Sequence, residues 1–137
     1  MNWKRLLLAA LVAYIFLQVS DFVLHGALMS GAYEPLAQIG VFRTETEMMP
    51  YLWVMFLTGI VFSFFFTFIF VKGYEGRGIA EGIRYGLYIT VFWSFVNAFN
   101  SFTIYPIPYS MVWSWIFIGL FQLVVMGILV ALIYKPK

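Results

Sequence analysis

Residues 6–28 read LLLAALVAYIFLQVSDFVLHGAL, a near-unbroken apolar run. About 20 such residues suffice to carry an α-helix across a bilayer. Inside the run, Asp21 and His25, the only histidine, stand four residues apart. That spacing puts both side chains on one helical face. The same face, followed backward, meets Gln18 and Tyr14. Ionisable side chains are expensive in hydrocarbon, so they turn toward protein or water and mark candidate functional positions.

The rest of the chain has the same character. Of 137 residues, 64% are hydrophobic and only 10% charged, and the mean hydropathy is +0.93. Soluble domains carry about 25% charged residues. The length fits one domain, residues 1–137. Four segments qualify as spans: about 6–29, 50–71, 83–105 and 108–134. The expected fold class is therefore an all-α membrane protein, a four-transmembrane-helix bundle. The chain contains no cysteine, which removes disulfides, thiolate metal sites and covalent haem attachment.

Basic residues set direction. Lys4 and Arg5 precede the first span; Lys72, Arg77 and Arg84 surround the second connection; Lys135 and Lys137 end the chain. Only Arg43 lies in the first connection, so seven of eight basic residues share one side if both termini are cytoplasmic. This predicts an N-in/C-in, multi-pass protein of the cell (inner) membrane. Lys4-Arg5 before a Leu/Ala run has the outline of a signal peptide. The stretch is long and Gln18-Val19-Ser20 is a poor cleavage site, so the first span is read as retained.

The connections carry local signals. In the first, Leu36, Ile39 and Phe42 predict a short helical turn lying on the outer surface. Thr46 is the expected N-cap of the second span, with Glu45 and Glu47 suited to its positive end and Pro50 in its first turn. The glycines of the second connection lack the spacing of a phosphate-binding loop. Gly78, Gly82 and Gly86 instead repeat every four residues, a ridge that lets helices approach closely. Gly59, Ser63 and Thr67 repeat likewise, as do Gly119, Leu123, Gly127 and Ala131. Glu81 and Arg84, one turn apart, are expected to pair or to reach for the interface.

Helical rise allows a depth estimate. Counting from Leu6 and Ile83 as entry points, Asp21 and His25 lie roughly 22 and 28 Å in, and Asn97 and Asn100 roughly 21 and 25 Å. The matching depths predict an inward-facing ligand- or ion-binding cluster of Asp21, His25, Asn97 and Asn100, flanked by Tyr14, Gln18, Ser94 and Ser114. Gln122 is a polar residue in the fourth span without an obvious partner.

Three functional classes follow. Small size, packing ridges and the lack of an HExxH or GxSxG motif favour a non-enzymatic accessory or assembly subunit with a buried polar cluster. Its partners would be the bilayer and either further copies or a larger membrane complex; nothing marks nucleic acid. The second class is a proton- or ion-coupled transporter using Asp21 and His25. An acidic group in the first of four spans resembles the layout of small multidrug transporters, in which dimers share paired carboxylates. The long first connection and the charge bias depart from that layout and disfavour an antiparallel dimer. The third class is a haem or metal protein. One histidine is half of what a membrane b-type haem uses, and Asp21, His25 and Glu34 are few ligands for a metal.

Overall fold

Four helices are long and apolar enough to cross a membrane: α1 (Trp3–Leu28), α3 (Glu45–Lys72), α4 (Ile79–Ile104) and α5 (Tyr109–Ile133). A short α2 (Ser30–Gln38) lies in the first connection. The computed structural model describes residues 1–136.

Each helix end has a local cause. The Asn2 side chain accepts the Arg5 N–H at 3.2 Å and caps α1. α3 starts at a capping box centred on Thr44, not on Thr46 as the sequence predicted. The Glu47 carboxylate accepts the Thr44 N–H at 2.8 Å, and the Thr44 hydroxyl accepts the Glu47 N–H at 3.4 Å. The helix thus begins ahead of Pro50, which lacks an N–H and sits in a tightened 3₁₀ turn, Met49–Tyr51. α4 also begins earlier than expected, at Ile79, directly after Gly78. Gly76 and Gly78 have φ of +77° and +65°, a region costly to other residues.

The turn before α4 is held by a carboxylate. Glu81 is buried, and its two oxygens accept the N–H groups of Glu75 at 2.6 Å and Arg77 at 2.8 Å. The expected Glu81–Arg84 pair is replaced by Arg84 with Glu75 at 2.8 Å, beside Arg77 at 3.0 Å. The Arg84 guanidinium holds the Glu75 carboxyl below its ordinary value.

Packing follows the small residues. α1 lies against both α3 and α5, and α4 lies against α5. A Cβ added at Gly82 would collide with the Gly127 carbonyl, and one at Gly86 with the Leu123 carbonyl. The two backbones touch at these positions, where small residues let helices approach closely. Gly78 is not part of this contact: it faces open space and serves the turn instead. Gly119 makes room for the Ser94 side chain.

Large side chains bridge α3 and α4. Tyr85 of α4 donates to the Phe66 carbonyl at 2.7 Å and packs on the rings of Phe66 and Phe70. Nearer the N-terminal end of α3, Phe62 and Trp93 meet with ring centres 5.8 Å apart. Phe66 is thus core, whereas Phe65 of the same run is exposed. The main core gathers Leu6, Ala9 and Ala13 of α1 with Phe70, Leu123, Met126 and Val130.

Two helices change their winding. Residues Phe22–Leu28 of α1 and Thr90–Phe95 of α4 are π-helical. At the end of α1 the Met29 N–H reaches back five residues to the Leu24 carbonyl at 3.1 Å. These wider turns rotate all that follows relative to a straight α-helix, and such segments gather at functional positions.

Candidate functional site

The stripe Tyr14–Gln18–Asp21–His25 does not face one way. Tyr14 and Gln18 turn to α3, where Gly59 leaves space for both side chains. Asp21 turns to α5. Its carboxylate accepts from the Gln122 amide at 2.7 Å, and the same amide nitrogen donates to the Ser20 hydroxyl at 2.9 Å. Ser20 in turn donates to the Leu17 carbonyl at 3.0 Å. Gln122, without a partner in the sequence reading, is the residue that holds Asp21.

His25 lies past the start of the π segment and turns to α2. Its Nδ1 is 2.7 Å from the Tyr33 hydroxyl, which also accepts the indole N–H of Trp115 at 2.7 Å. Met29 Sδ is 3.6 Å from the same oxygen. Two proton arrangements satisfy the set: Tyr33 donates to an unprotonated Nδ1, or Nδ1–H donates to Tyr33 and the tyrosine proton faces Met29. In both, His25 Nε2 remains free among the described residues. Phe42 closes on the edge of Tyr33 and on Trp115. Burial, partly offset by the Trp115 bond, raises the Tyr33 hydroxyl above its ordinary 10.0, and Asp21 adds to the rise.

This end of the molecule is a second hydrophobic centre. Ala98, Ile107, Met111, Val112 and Ile116 form its buried part, and Met29, Tyr33, Leu36, Val41 and Phe42 cover it. The first connection is therefore a folded cap over the start of α5, with Leu36 and Phe42 packed inward and Ile39 exposed.

The other predicted members are placed elsewhere. Asn97 and Asn100 are exposed, and the Asn97 amide donates to its own helix at the Trp93 carbonyl, 2.8 Å away. The structure thus does not join these two to Asp21 and His25. The Ser94 side chain packs on Gly119, and Ser114 donates to the Ser110 carbonyl at 3.0 Å. Glu34 is exposed. Among the described residues, no three His, Asp or Glu side chains form a group able to hold a metal ion.

The arrangement has two linked parts. Ser20, Asp21 and Gln122 clip α1 to α5. His25, Tyr33 and Trp115 clip the end of α1 and the cap helix to α5. Tyr33 and Trp115, absent from the sequence-based cluster, are the residues that organise the second part. Nothing in the sequence pairs them, since they lie 82 positions apart.

Removing the Tyr33 hydroxyl tests the second clip. Tyr33→Phe leaves the Trp115 N–H and His25 without their shared partner, a loss of about 1–2 kcal/mol. Residues 30–44 should exchange amide hydrogens faster, while α4 against α5 is unaffected. The same docking should weaken as pH rises. A tyrosine whose folded value is raised stabilises the fold below the unfolded value of 10.0 and loses that contribution as pH passes through the higher folded value. Unchanged exchange in Tyr33→Phe would show that the cap is held by Phe42 and Leu36 alone.

The sequence matches no protein-family model, and no curated protein or solved structure is similar to it.

Proposed function

We propose that this chain is a non-enzymatic accessory or assembly subunit of the cell membrane. It would form a four-helix bundle with both termini in the cytoplasm. The observation that carries this reading is how the polar groups are used. Gln122, Ser20 and Asp21 satisfy one another, as do His25, Tyr33 and Trp115. Tyr85 satisfies a backbone carbonyl between helices. Polar side chains spent on inter-helix contacts fix a shape, which is what an assembly subunit contributes.

Orientation rests on the basic residues, seven of eight on one side. A single cysteine placed at Ser30 should react with an impermeant thiol reagent from outside intact cells. Labelling only after permeabilisation would reverse the orientation.

Function is tested against the transporter alternative. Proteoliposomes of the purified chain, loaded with a pH-sensitive dye, should hold an imposed proton gradient as well as empty vesicles do. In mild detergent extracts the native chain should migrate in a species larger than itself. A gradient that collapses with the wild type and persists with Asp21→Asn would replace this reading with proton-coupled transport. That variant keeps a hydrogen-bonding side chain at position 21 but cannot titrate.

A further inference from the structure

The span that is least apolar is also the span left most open. The mean hydropathy of α4 is 1.2, against 2.1, 2.5 and 2.8 for α1, α3 and α5. Yet only 11% of its apolar stretch is buried, against 28%, 33% and 39% for the others. For a helix surrounded by lipid the opposite is expected, since polar surface belongs against protein.

The polar groups concerned are carboxamides. Trp93, Asn97, Asn100 and Ile104 follow one another at helical spacing, and all four are exposed. The exposed faces of α1, α3 and α5 carry no carboxamide, and the exposed Thr58 of α3 bonds its own helix at Val54. Asn97 uses one N–H on its own backbone and keeps its second N–H and its oxygen directed outward. Hydrocarbon offers those groups nothing, and model helices in membranes associate through such side chains.

We propose that this face of α4 is an interface with a second copy of the chain, in which Asn97 and Asn100 pair across a two-fold axis. A carboxamide carries donor and acceptor together, so it complements itself, and two copies inserted in the same direction bring equal depths into register. A two-fold contact needs such a self-complementary patch. This inference rests on the accessory-subunit reading and names one of its partners.

The chain has no cysteine, so one introduced thiol reports contact between copies without ambiguity. Ile104→Cys lies on the amide face near the outer surface and leaves both asparagines intact. Oxidation in native membranes, and of purified protein in phosphatidylcholine vesicles, should give a species of twice the chain mass. Asn97→Leu with Asn100→Leu in that background should reduce it about tenfold, the effect of losing one or two interhelical amide bonds. Phe117→Cys, on the exposed face of α5, should give little. Equal cross-linking at Phe117, or a product that survives loss of both amides, would overturn the proposal. So would a cross-link in native membranes to a species of another mass with none in the vesicles, although the accessory reading would stand. A chain that is monomeric in both settings and migrates alone in mild detergent would overturn both.

Discussion

Leucine in place of Gly82 should destabilise the protein by about 3 kcal/mol, the upper end of what overpacking costs. The reason is the identity of the neighbour. A Cβ at position 82 runs into the carbonyl of Gly127, and a Cβ at 127 runs into the carbonyl of Gly82. Both obstacles are backbone, so no rotamer change relieves them, and α4 must move away from α5. Gly86 on Leu123 would separate with it. Gly31→Ala supplies the contrast, because position 31 faces open space in α2 and a helical alanine is favoured over glycine by about 1 kcal/mol. The measurement is thermal unfolding in detergent, followed by near-ultraviolet dichroism of the aromatic side chains. Gly82→Ala and Gly127→Ala should each destabilise, and together less than their sum, since one separation relieves both clashes. A Gly82→Leu protein as stable as the wild type would mean that the helices do not touch at this point.

The spans were legible because hydrocarbon imposes a long uninterrupted apolar run, a signal that one sequence carries by itself. Small residues repeating every four positions marked one face of α4, at Gly82 and Gly86, and one of α5, at Gly119 and Gly127, but not that these two faces meet. The candidate site was legible only in its anchors. Asp21 and His25 are costly wherever they point, so they draw attention, but the direction they point depends on neighbours. A straight-helix count cannot see that residues Phe22–Leu28 wind more widely and carry His25 round to α2. Nor can depth pair residues across helices. Asn97 matches Asp21 in depth yet lies on the far side of α4, whereas Gln122, assigned to the inner half, reaches Asp21 with a long side chain. The cap was half legible: Leu36 and Phe42 predicted a surface turn, but the Tyr33–Trp115 contact joins residues 82 positions apart.

Gln122→Leu should cost about 2–3 kcal/mol, because it leaves the half-buried Asp21 carboxylate and the buried Ser20 hydroxyl without their donor. The amide is the one donor to Asp21 from another helix among the described residues, and it also serves Ser20. Asp21→Leu should cost less, because Gln122 keeps Ser20 as its acceptor. Asp21→Asn should be close to neutral, since the amide oxygen still accepts from Gln122. The decisive variant removes both partners. Asp21→Leu with Gln122→Leu replaces a polar pair by apolar contact, which is often neutral or stabilising where one-sided removal is not. Stability in detergent should therefore recover most of what Gln122→Leu loses, and the double-mutant cycle should show strong coupling. If the two losses simply add, the bond does not hold α1 to α5. The clip joins α1 to α5, whereas the contact proposed between copies lies on α4, so the double variant should still give the Ile104→Cys cross-link expected of the wild type.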